Sequence, residues 1–170
     1  MQKRKFPAVL AFATLLALGG VGLAGCGFTP MYAAPGLSEG LSAIETIAPE
    51  GRTGALLRES LDDALARDMS TPPRYRLEIE LDESRIPRGR RPDGVASRFE
   101  YVVVADWKLV SRIDGSTLAA GTSRAQITFD RADQPYASIA AQQDAEQKAA
   151  DELARKIRLD LANVVLRRES

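Results

Sequence analysis

The only cysteine of the 170-residue chain is Cys26, in the stretch LAGCGFTPMY. An aliphatic residue and two small ones, Leu23-Ala24-Gly25, stand directly before it. That spacing suits one chemistry. A thiol can accept a diacylglyceryl group as a thioether, and small residues let a peptidase reach the bond in front of it. Cleavage there makes Cys26 the first residue of the mature chain. Each buried acyl methylene contributes about 0.8 kcal/mol and a single chain holds only marginally, so firm anchoring takes two or three chains. The competing reading of Cys26 is a buried free thiol.

The residues upstream favour acylation. Lys3, Arg4 and Lys5 are followed by an uncharged run from Phe6 to Ala24. A basic start, an apolar middle and a small-residue exit are the parts of a secretory signal. The run is long enough to span a bilayer, but Pro7, Gly19, Gly20 and Gly22 weaken it as a helix, and no basic stop follows. We therefore expect residues 1–25 to be a lipoprotein signal peptide, residues 26–40 a lipidated N-terminus and tether, and residues 41–170 a single domain. Asp after the cysteine retains enteric lipoproteins at the inner membrane. Gly27 therefore points to the outer one.

A second concentration of reactive side chains is basic. The segment Ser84 to Arg98, SRIPRGRRPDGVASR, holds Arg85, Arg88, Arg90, Arg91 and Arg98 against one acid, Asp93. Arginine offers bidentate geometry to phosphates and carboxylates. Pro87, Gly89, Pro92 and Gly94 mark the segment as a loop between strands. It reads either as an anion-binding contact or as a solvated hairpin tip.

Composition narrows the rest. The chain has no histidine, which excludes His-based zinc sites, Ser-His-Asp triads and Cys-His dyads. With one cysteine there is no internal disulfide. There is no GxGxxG and no GxxxxGK[ST]. No carboxylate pair is singled out for catalysis, so we expect no enzyme, no metal and no cofactor beyond the covalent lipid on Cys26. Basic and acidic residues balance at 23 each, and loss of residues 1–25 leaves a small acidic excess. That is no nucleic-acid footprint.

The elements that must position these groups read clearly. Residues 41–48 form a weak first strand ended by Pro49. Residues 54–68 form a helix with Leu57, Leu61, Ala64 and Leu65 on one stripe and Thr53 as its N-cap. Residues 74–82, RYRLEIELD, alternate strictly, with Tyr75, Leu77, Ile79 and Leu81 on the buried side. Residues 97–112 form a strand with Phe99, Tyr101, Val103, Ala105, Trp107 and Leu109 on one face. Glu100, Val102, Val104, Asp106, Lys108 and Val110 lie on the other. Asp114-Gly115 is a hairpin turn, followed by a strand over 117–129. Residues 136–167 form a long helix with the stripe Ala145, Ala149, Leu153, Ile157, Leu161 and Val164. The expectation is an α+β two-layer sandwich: a four-stranded mixed sheet with two helices on one face, in the order β-α-β-β-β-α. The opposite face of the sheet is then open.

In this order the motifs resemble the LPS-assembly lipoprotein family, LptE, also called RlpB. The matching pieces are CGFTPMY after the lipobox and Arg58, Leu61 and Leu65 in the first helix. They continue with YRLEIEL, with Tyr101, Trp107 and Leu109, and with the spacing of GSTLAAG. The terminal helix PYASIAAQQDAEQKAADELARKIRLDL, with its D-A-E-x-x-A core, completes them. The resemblance implies an outer-membrane lipoprotein that assists and plugs the LptD β-barrel and binds lipopolysaccharide in transit. Two rival readings remain at this point. One is an accessory lipoprotein of a phospholipid-trafficking ABC system, which calls for an apolar groove. The other is an envelope hydrolase using carboxylates.

Overall fold

The structure, a computed structural model, describes residues 37–90 and 96–169, with side chains described over 37–89 and 97–165. The signal peptide, Leu23, Ala24, Gly25, Cys26 and Arg91 lie outside the described residues. The elements run α1 (Leu37–Ser42), β1 (Ile44–Ile47), α2 (Arg52–Ala64), β2 (Tyr75–Arg90), β3 (Ala96–Ser111), β4 (Thr117–Asp130) and α3 (Pro135–Glu169). The four strands lie in the order β1-β2-β3-β4. β1 pairs parallel with β2, so α2 is the crossover between them. β2, β3 and β4 form an antiparallel meander. The expected mixed four-stranded α+β sandwich is therefore what the chain forms.

The first element departs from expectation. Residues 41–48 are not one strand: α1 takes Leu37–Ser42 and β1 keeps only Ile44–Ile47. The order is thus α-β-α-β-β-β-α, and the folded part reaches back into the expected tether. The physical reason is the Leu37–Leu41 spacing of four, which puts both leucines on one helical stripe. Both are buried in the core, and the Cγ1 of Val165 comes so close to Gly40 that an added Cβ would lie 2.9 Å from it.

The cap of α2 also differs. Gly51 is the N-cap, with φ of 117°, and no side chain caps the helix. Thr53 lies inside the first turn, buried, with its hydroxyl turned to the sheet. The helix stops at Ala64, earlier than its apolar stripe suggested, and Ala66 carries a positive φ of 50°.

One face of the sheet makes the core. Ile44, Leu77, Ile79, Val103, Ala105, Trp107, Leu109 and Ala125 cluster with Leu57, Leu61 and Leu65 of α2. Ala149, Leu153, Ile157 and Leu161 of α3 join them, and the whole α3 stripe from Ala145 to Val164 is buried. The opposite face, open as expected, is not uniformly wet. Val102 and Val110 are buried there, and so is Glu100.

One close contact in the core involves glycine. Gly121 pairs across from Trp107, whose ring lies flat over it; a Cβ there would meet Cζ2 at 2.5 Å. Trp107 is the only tryptophan, so its emission reports on this contact. Gly121→Ala should destabilise the domain by about 1–3 kcal/mol through overpacking. Thermal unfolding followed by tryptophan fluorescence should show a lower midpoint and a shifted folded-state spectrum.

Candidate functional site

The arginines expected in a loop lie on strands instead. β2 runs on to Arg90 and β3 begins at Ala96, so the hairpin arms carry Arg85, Arg88, Arg90 and Arg98. Pro87 and Gly89 read as loop signals, but the sheet absorbs both at a bulge, where the register shifts between Pro87 and Gly89 and again before Arg90. Proline is tolerated because β1 pairs only with Tyr75–Glu78, which leaves this part of β2 an edge.

The strand positions divide the arginines. Arg85 pairs with Tyr101 in the register and lies on the helix-covered face. Arg98 pairs with Asp130 on the open face. Arg88, at the bulge, reaches Glu100 on that same face. The structure therefore brings Arg88 and Arg98 together on one side of the hairpin and sends Arg85 to the other. Of Arg90 only the backbone is described, in β2.

Their partners differ in charge. Arg98 grips Asp130 with two bonds, Nε to Oδ1 at 2.7 Å and an η nitrogen to Oδ2 at 3.4 Å. The guanidinium holds the Asp130 carboxyl below the usual range and is itself raised, first through that hydrogen bond and then through charge attraction. Arg88 donates to Glu100, a carboxylate only 6% exposed in its side chain, and Arg88 is raised for the same two reasons. Both guanidinium charges are thus largely compensated. Arg85 instead donates to the neutral carbonyl oxygen of Gln142 at 2.9 Å. Its charge is oriented without being cancelled.

Arg85 is held by a chain of contacts that spans three elements. The Gln142 amide donates to Glu146 Oε1 at 2.8 Å. Glu146, on α3, accepts from Arg52 Nε of α2 at 2.9 Å on its other oxygen. Beside it the Tyr101 hydroxyl donates to Glu83, with Thr53 2.9 Å away. Burial first, and then the hydrogen bond to Glu83, pushes the Tyr101 hydroxyl well above its ordinary value. It stays protonated and serves as a fixed donor. Among the described residues no group of acids, cysteines or histidines is placed to hold a metal ion.

These partners were not visible in the sequence. Gln142 lies 57 residues from Arg85 and Asp130 lies 32 from Arg98. Only the hairpin register, once known, puts Arg98 beside Asp130.

Because Glu100 is buried and Arg88 is not, the two ion pairs should respond differently to truncation. Arg88→Ala strands a buried carboxylate, whereas Arg98→Ala exposes an already solvated one. Arg88→Ala should lower the thermal midpoint more than Arg98→Ala, and adding Glu100→Gln to Arg88→Ala should restore part of the loss. Equal effects of the two single substitutions would contradict this account.

With this geometry in hand, likeness to other proteins can be placed. Residues 41–161 match the family model LptE, Lipopolysaccharide-assembly. A lipoprotein crystal structure from Caulobacter crescentus CB15 is 49% identical, with a TM-score of 0.68, over 77% of this chain and 96% of that one. A minor lipoprotein from Acinetobacter baumannii is 13% identical, with a TM-score of 0.51, over 71% of this chain and 88% of that one. Lipoprotein B from Nitrosomonas europaea is 16% identical, with a TM-score of 0.51, over 70% and 81%. The last two speak to the fold alone. No curated protein matches the chain. The family match covers most of the folded domain, and the chain belongs to the LptE family of lipopolysaccharide-assembly proteins.

Proposed function

We propose that the mature protein is acylated on Cys26, held at the periplasmic face of the outer membrane, and acts by filling the lumen of an LptD-type β-barrel while assisting that barrel's assembly. It performs no chemistry of its own. The observation that carries this reading is the uncovered sheet face. Glu80, Asp106, Lys108 and Arg124 lie there in the rows between the buried Val102 and Val110. A surface so mixed suits the partly polar wall of a barrel better than free water. The rival role in phospholipid trafficking calls for an apolar groove, and the depression on this face is lined mainly by charged side chains.

Purification of the native full-length protein from outer membrane tests the reading. It should bring down an outer-membrane barrel in about equal amount, and Cys26→Ala should abolish acylation and membrane retention. Recovery alone, or with inner-membrane transporter parts, would overturn it.

Lipopolysaccharide, with phosphates and acidic sugars, is the expected ligand of the arginine-bearing hairpin. Since Arg88 and Arg98 are compensated and Arg85 is not, Arg85 should carry the largest share. A lost charge-assisted hydrogen bond of about 1.5–3 kcal/mol corresponds to roughly ten- to a hundred-fold in affinity. Arg85→Ala should weaken lipopolysaccharide binding by that factor in a direct titration, and Arg98→Ala by much less. Unchanged binding in both variants would remove the hairpin from the ligand site.

A further inference from the structure

The charges of the open face close on themselves at its two ends but not in its middle. At one end Arg112 pairs with Glu45 and Arg76 with Glu78; at the other Arg88 pairs with Glu100 and Arg98 with Asp130. Between them Glu80 of β2 stands directly opposite Asp106 of β3. Both are exposed, and Asp82 follows on the same side of β2. Like charges directly opposite on neighbouring strands destabilise a sheet. Asp106 accepts a hydrogen bond from the Thr122 hydroxyl, but no ion pair is formed by Glu80, Asp82 or Asp106 among the described residues. Lys108 stands opposite Glu78 and Arg124 opposite Val104, so the flanking cations belong to the adjacent rows.

The same place is concave. A depression of about 400 Å³ is lined by Ile47, Arg76, Glu78, Glu80, Asp106 and Lys108. Ile47, at the end of β1, is 45% exposed, an unusual position for an isoleucine on a charged face. An apolar wall beside two unneutralised carboxylates matches one kind of guest, a long basic side chain. Its methylene stem packs on Ile47 while its head reaches the acids.

We propose that the middle of the open face docks onto a stretch of barrel wall carrying lysine or arginine, one of whose side chains enters the Ile47 depression. This rests on the barrel-filling role proposed above and adds to it the contact face and the charge of the partner. The like-charged pair is then a feature tolerated in the free domain and neutralised in the complex.

Two measurements on the full-length lipoprotein test this. Glu80→Gln with Asp106→Asn should raise the thermal midpoint of the free protein by about 1–4 °C, because a repulsive cross-strand pair is removed. The same variant should recover several-fold less barrel from outer membrane, and what it recovers should be less sensitive to salt than the wild-type complex. Charge reversal, Glu80→Lys with Asp106→Lys, should abolish recovery while the circular dichroism stays that of the wild type. Undiminished recovery with both variants, against a wild type that does bring the barrel down, overturns the docking face and leaves the barrel role standing. A wild type that brings down no barrel overturns both.

Discussion

Helix α3 buries one stripe, Ala145 to Val164, against one face of the sheet, and the use of the other face follows from that contact. The stripe is graded. Alanines at 145, 149 and 150 let the helix lie close to the strands near the hairpin end. Leu153, Ile157 and Leu161 fill the wider space where α2 and α1 also enter. Two helices and one short turn of a third are enough to cover a single sheet face. Nothing among the described elements is left to cover the second, so Glu80, Asp106 and Lys108 stay exposed there. The sheet is also unsupported by β1 beyond Glu78, and the long hairpin of β2 and β3 continues on its own ladder to the bulge.

The hairpin solves a problem of charge density. Five arginines within fourteen residues would repel one another on a bare loop. Of the three whose side chains are described, pleat and bulge send Arg88 and Arg98 to one face and Arg85 to the other. Arg88 and Arg98 receive carboxylate partners, and Arg85 is placed on the helix side, where Gln142, Glu146 and Arg52 link β2 to α3 and α2. The hydroxyls of Thr53 and Tyr101 and the Glu83 carboxylate tie α2 to β2 and β3 a step nearer the core. The polar network thus lies where the apolar core thins out, and it fixes the orientation of the basic group at its rim.

Most of the architecture was legible because it rests on periodicity. The alternation of Tyr75, Leu77, Ile79 and Leu81, and the spacing from Ala145 to Val164, name their buried faces without reference to anything distant. What was missed depended on tertiary context. Leu37 and Leu41 sit among glycine, proline and small residues that read as linker, and only the core cluster built from distant segments gives them something to pack on. Thr53 looked like a cap, but Tyr101 and Glu83 claim its hydroxyl. Pro87 and Gly89 looked like a loop because turn residues and bulge residues are the same types, and the edge position that makes a bulge affordable is a property of the sheet. The arginines were found as a group, but which of them keeps its charge could not be read without their partners.

Helix α3 runs 35 residues, and its two poles are occupied differently. Gly40 of α1 lies against Val165, near the far end of α3, while the helix begins at Pro135 beside the end of β4. With a rise of about 1.5 Å per residue, α3 spans roughly 50 Å between those poles. The ten residues between Cys26 and Leu37 reach at most about 35 Å when fully extended. An acylated Cys26 would therefore act as a leash shorter than the body it holds.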